Sequence, residues 1–255
     1  MAAGSPRRTR PVDSNERITT VARPSAFTTI INVFASPGEA FAAIRERPTV
    51  LVPILLVCIA AAAPNWLYLL EVDIAWLVEQ QMRAQRFIDL TDAQISTMAD
   101  AAASRGRGFL IAQGVGGAFI VITIILLIEA LYLKAVSAFR KDGVRFKQWL
   151  SLVSWTSLPA ILGTIATVVF ILTNDVTFVS QTGINPLSFG NLLQLDVSNS
   201  NTLVKVAMSL SPVNIWSLVL VIFGYRSIAR AGIATASAVV LAPIVVITAI
   251  VLALI

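Results

Sequence analysis

Glu129, Tyr132, Ser157 and Asn214 are the polar side chains that could do chemistry in a chain otherwise dominated by apolar residues. Glu129 is the only carboxylate inside a long apolar run, and Tyr132 at i+3 shares its helical face. Counted inward from the nearest arginine or lysine of the cytoplasmic flank at about 1.5 Å per residue, Glu129 lies about 16 Å deep, Ser157 about 15 Å and Asn214 about 18 Å. The three are level. Pro159, Pro212 and Pro243 fall at about 18 to 21 Å by the same count, and as helix-break positions they would free carbonyls near Trp155, Met208 and Val239.

Two readings fit this set. Broken helices at one depth around a carboxylate suit a ligand or proton site of the kind transporters build. The same residues suit a structural role, with a protonated glutamate and its hydroxyl and amide neighbours fastening helices together. Either way Glu129 is expected to face protein, because a carboxylate at a helix centre costs about 2.5 to 3.5 kcal/mol in the bilayer. Lys134 is turned about 140° from Glu129, so it is expected to snorkel to the surface.

Other chemistries lack their residues. There is no histidine, and the single cysteine, Cys58, sits in an apolar run, so the common zinc, haem and iron–sulfur ligand sets are missing and no metal or cofactor is expected. A hydrolase needs a nucleophile, a base and an orienting group, and no such set converges, so the chain reads as non-enzymatic. The acidic residues between 71 and 107 are too scattered for a calcium loop. Gly114, Gly116 and Gly117 have neither the strand before them nor the lysine after them that phosphate cradling requires, and read as a helix-packing surface.

The elements that carry these residues follow from composition. With 56% hydrophobic and 13% charged residues and a mean hydropathy of +0.81, the chain would leave large apolar patches exposed in water. Five apolar stretches, residues 49–70, 109–135, 150–173, 203–225 and 233–255, each reach the ~20 residues that span a bilayer. The fold class is therefore all-α, a polytopic bundle of five transmembrane helices.

A net charge of +5 and a pI near 9.9 would suggest nucleic acid in a soluble protein, but the distribution is topological and no nucleic acid partner is expected. One set of connecting segments holds Arg45, Arg47, Arg140, Lys141, Arg145, Lys147, Arg226 and Arg230, as well as the tail arginines Arg7, Arg8 and Arg10. The other holds Arg83, Arg86, Arg105 and Arg107 but eight carboxylates, Glu71, Asp73, Glu79, Asp89, Asp92, Asp100, Asp175 and Asp196. Positive-inside asymmetry places the N-terminus in the cytoplasm and the C-terminus outside, with the first span expected to be a retained anchor.

Residues 1–24 read as a disordered cytoplasmic tail. Residues 25–48 read as two amphipathic helices in the membrane interface, the first with Phe27, Ile30, Ile31 and Phe34, the second with Phe41 and Ile44. Ser36 to Glu39 has the pattern of a capping box with Pro37 at the first helical position. Residues 49–255 form the five-span domain.

The extracytoplasmic loop 71–107 is expected to be a helical hairpin, its second helix opened by a capping box of Thr91 and Gln94 and its first resting on the bilayer through Ile74, Trp76, Leu77 and Val78. Loop 174–202 is expected to be irregular with a short surface helix. Trp66, Trp149 and Tyr225 are placed as interfacial anchors, Trp155 and Trp216 as packing residues.

The stretch F-A-S-P-G-E-A-F-A-A-I-R-E-R-P from Phe34 to Pro48 resembles the opening of the bacterial branch of the Yip family of Rab-interacting polytopic membrane proteins. The loop K-D-G-V-R-F-K-Q-W-L from Lys141 to Leu150, Ser157 to Pro159, Asn185 to Leu187, and S-P-V-N-I-W from Ser211 to Trp216 with Gly224 extend the resemblance along the chain. It implies a five-span fold in the bacterial cytoplasmic membrane and, by analogy with some bacterial members, an accessory role beside an ABC-type export complex of permease and ATPase. The expected function is thus a membrane scaffold or accessory subunit whose partners are the lipid bilayer and another membrane protein. The alternative is an autonomous small-molecule, ion or lipid transporter with a midplane site around Glu129. The sequence leaves the oligomeric state open.

Overall fold

Continuous apolar runs with few charges give helices that bury little of their surface inside the protein itself. The computed structural model describes residues 25–84, 90–195 and 202–253. The tail 1–24, and Asp196 in the second loop, lie outside the described residues. Among the described residues the chain is all-helical, without strands, and five helical stretches are long and apolar enough to cross a membrane.

Two short helices come first, α1 (Ala26–Ala35), capped by the Ser25 side chain, and α2 (Pro37–Glu46). The expected capping box at the start of α2 does not form. Ser36 makes no side-chain cap bond, and Pro37 opens the helix with its fixed φ instead. The spans are α3 (Leu51–Glu71), α6 (Arg107–Arg140), the pair α7 (Phe146–Thr156) and α8 (Ala160–Thr173), α11 (Pro212–Ala229) and α12 (Ile233–Ala253).

Between α3 and α6 lies a hairpin of α4 (Ile74–Ala84) and α5 (Asp92–Ser104), and between α8 and α11 lie α9 (Phe189–Leu192) and α10 (Thr202–Ser209). The Thr91–Gln94 capping box is formed as expected.

Proline decides where the spans break. Ser157 to Pro159 interrupt the third span as a turn, because Pro159 supplies no N–H to the Trp155 carbonyl, which Leu158 N–H takes at 3.3 Å. Contrary to expectation residues 203–225 are not one helix, and the break falls at the expected helix-break position, Pro212. It is the first residue of α11, Ser211 before it is extended, and α10 is a separate helix. Pro243 leaves α12 continuous.

The bundle has a basic and an acidic end. At the basic end the side chains of α2 run inward, not along the membrane interface: Phe41 and Ile44 are buried with Leu152, Leu220, Trp149 and Tyr225 in one core. Phe34 is half-buried against the same core, and of the apolar residues expected in the interface only Phe27 and Ile31, on the outward face of α1, are exposed. Trp149 and Tyr225 are not interfacial anchors either. They are fully buried and stacked, ring centroids 5.1 Å apart. Trp155 is buried as expected, whereas Trp216 is exposed.

At the acidic end Ile74 and Leu77 pack with Tyr68, Val72 and Val176 rather than resting on lipid. Tyr68 Oη donates to the Val179 carbonyl at 2.9 Å, and Trp76 meets Phe178 edge-on. Gly106 at φ +83° and Gly143 at φ +74° make the turns at the two ends of α6 that a side chain would strain.

Candidate functional site in the spanning bundle

Three prolines, Pro53, Pro64 and Pro243, lie past the first residue of a continuous spanning helix, and each orphans a carbonyl four residues earlier. Every one of these carbonyls is taken by a side chain from another helix. Pro53 frees Thr49 O, which accepts from Ser151 Oγ at 2.7 Å and Trp155 Nε1 at 3.1 Å, both on α7. Pro64 frees Ala60 O, which accepts from Thr164 Oγ1 of α8 at 3.0 Å. Pro243 frees Val239 O, which accepts from Tyr132 Oη of α6 at 2.7 Å. In a medium without water such a bond answers an otherwise unsatisfied backbone group, and it ties two helices at one depth.

The polar residues singled out in the sequence therefore divide. Tyr132 belongs to one of these locks, joining α6 to α12. Ser157 donates back to the Val153 carbonyl of its own helix at 2.8 Å. Asn214 is the third residue of α11, and its Oδ1 accepts from Ser211 N–H at 2.7 Å and Ser211 Oγ at 2.8 Å. No hydrogen bond among the described residues joins any two of the four. Asn214 caps a helix end, a role that S-P-V-N could have signalled.

Glu129 departs from expectation in another way: it is exposed on the flank of α6 and has no hydrogen bond or ion pair among the described residues. Lys134 reaches toward the basic end as expected, donating to the Val144 carbonyl at 2.8 Å.

Of the helix-packing glycines, Gly114 does the work assigned to it. A Cβ there would stand 2.7 Å from Leu69 Cδ1, so α3 approaches closely. Gly116 and Gly117 have open space around them and pack against nothing described. Cys58 is buried near Thr123 and the Phe119 carbonyl, a packing position.

Gly224, quoted from the sequence only for the family resemblance, has a packing role that reading did not assign: a Cβ there would lie 2.1 Å from Leu152 Cδ1 and 3.4 Å from Phe41. Sequence reasoning also missed Pro53 and Pro64 with their partners, although the i−4 rule identifies both orphaned carbonyls without a structure.

A cleft of about 250 Å³ lies away from Glu129, at the acidic end, lined by Leu67, Glu71, Ile171, Asn174 and Asp175 among others. Hydrogen bonds from Thr177 hold the Asp175 carboxyl below its usual range. No His, Cys, Asp and Glu cluster among the described residues could hold a metal ion.

Neither the curated proteins nor the solved structures include a significant match to this chain. The family model of the Yip1 domain matches residues 31–255, which takes in all five spans and the second half of α1. A bundle of five membrane-length helices over that whole match makes the chain a member of the Yip1 family of integral membrane proteins.

Proposed function

We propose that the protein is a non-enzymatic scaffold or accessory subunit that binds another membrane protein. The observation that carries this reading is the use of the polar groups inside the spans. Tyr132, Ser151, Thr164, Ser157 and Asn214 are engaged in helix locks, back-bonds and caps, leaving little to line a path for a polar substrate. Catalysis finds no support for the same reason, together with the lack of histidine.

The finer reading is an accessory subunit of an ABC-type export complex in a bacterial cytoplasmic membrane, with the basic end facing the cytoplasm. Its support is the resemblance to bacterial Yip-family members and the charge asymmetry of the connecting segments. Purification in mild detergent tests it: a stoichiometric complex with an ATPase and a permease is the expected result. Transport of a substrate into liposomes by the purified protein alone would overturn it in favour of an autonomous transporter.

A further inference from the structure

At the basic end one side-chain amide clips two helix ends together. Gln148 Nε2 donates to the Arg45 carbonyl near the end of α2 at 2.7 Å, and Gln148 Oε1 accepts from the Arg145 N–H at the start of α7 at 2.8 Å. Just beyond, Ser151 Oγ donates to the Thr49 carbonyl at 2.7 Å, so residues 45–49 lie along the opening of α7. Arg45, Arg47, Arg145 and Lys147 therefore sit on two short segments held side by side. Arg47, Arg145 and Lys147 are exposed and Arg45 is half-buried. Glu46 is the one carboxylate on the two segments. None of the four cations makes an ion pair among the described residues, whose two pairs both belong to Arg83 at the acidic end.

Four residues after Arg47 an apolar stripe begins: Leu51, Leu55 and Ile59 recur at i, i+4 and i+8 on α3, and all three are exposed. Phe146, between Arg145 and Lys147, is exposed as well. We propose that Arg45, Arg47, Arg145 and Lys147 form a headgroup site for an anionic phospholipid, whose acyl chains follow the stripe on α3. The charge complementarity selects the headgroup. Cations clustered where a span meets the surface attract anionic lipid, whereas a zwitterionic headgroup brings a cation of its own. The stripe selects a lipid over a soluble anion, because membrane-facing aliphatic side chains offer a soluble anion no contact. The inference goes beyond the scaffold reading and does not depend on it.

The test uses the full chain in a mild non-ionic detergent, mixed with equal amounts of phosphatidylglycerol and phosphatidylcholine of matched acyl chains, with native mass spectrometry counting the lipids retained. The first bound lipid should be phosphatidylglycerol by roughly tenfold over phosphatidylcholine. That preference should be lost in Arg45→Gln with Arg145→Gln. It should be lost too in Arg47→Gln with Lys147→Gln, which alters only exposed side chains and leaves both Gln148 bonds, made to backbone, in place. Arg83→Gln with Arg105→Gln removes the same charge at the acidic end and should leave the preference unchanged.

Equal retention of the two lipids by the wild-type chain, or a preference that survives both basic-end variants, would overturn the site. So would an equal loss in the acidic-end variant, which would make net charge the cause. A preference that builds up over many lipids without a saturable first one would show a diffuse field in place of a site. Displacement of the bound lipid by glycerol 1-phosphate, a headgroup without chains, would assign the cluster to a soluble phosphate and overturn the lipid.

Discussion

The basic and acidic ends of the bundle are held together by different physics. At the basic end α2 inserts Phe41 and Ile44 beneath α7 and α11, Trp149 stacks on Tyr225, and Gly224 lets Leu152 approach its backbone. Shape complementarity between fully buried side chains does most of the holding there. At the acidic end a smaller buried cluster, Ile74 and Leu77 against Tyr68, Val72 and Val176, is supplemented by exposed ties: Arg83 pairs with Glu79 at 2.7 Å and with Asp92 at 2.8 Å, and Arg107 donates to the carbonyls of Leu69 and Leu70 that end α3. Exposed pairs of this kind contribute about 0 to 1 kcal/mol, whereas a buried aromatic contributes several. The contrast teaches that most of the cohesion lies where the N-terminal helices dock, and that the exposed ion pairs of the outer hairpin can vary with little loss.

Trp149→Ala breaks the comparison at its strongest point. It should cost about 3 to 5 kcal/mol, read as a loss of thermal stability in detergent. A change under about 1 kcal/mol would show that the basic end is not close-packed.

The next effect separates two tyrosines. Tyr132→Phe strips the Val239 carbonyl of its donor and should cost about 0.6 to 1.7 kcal/mol by denaturation in micelles. Tyr225→Phe removes a buried hydroxyl with no hydrogen-bond partner among the described residues, so it should be neutral or slightly stabilising. Equal losses in the two variants would refute the lock.

The smallest effects belong to the acidic end. Arg83→Ala should leave the melting temperature almost unchanged, though the ion pair is well formed and holds the guanidinium further into its charged range. Asp175 has a folded value depressed by Thr177, so its contribution is present above the unfolded carboxylate value of about 3.8 and is lost as pH falls through the lowered folded value. Hydrogen exchange at Thr177 N–H should therefore rise only in strong acid. A rise already near neutral pH would contradict the assignment.

How much of this was legible without a structure varies by element. Five membrane-length helices follow from hydropathy, since a bilayer tolerates little else, and the family resemblance quoted from Phe34 onward agrees with the matched Yip1 domain. The Thr91 capping box was readable because its spacing is local. Residues 203–225 were misread as one span because hydropathy runs on through the break at Pro212, where Ser211 and Asn214 form a helix start. Phe41 and Ile44 were misassigned to the interface because an amphipathic stripe looks the same whether lipid or protein covers it.

The sequence by itself determined the solvent, the number of crossings and the carbonyls that proline must orphan, because hydrophobic length and the missing proline N–H are properties of consecutive residues. Only the tertiary structure decided that Ser151, Thr164 and Tyr132 answer those carbonyls, that Gly224 admits Leu152, and that Glu129 stands exposed on the flank of α6. Those are relations between residues far apart in the chain, and no local pattern encodes which helix turns which face to its neighbour.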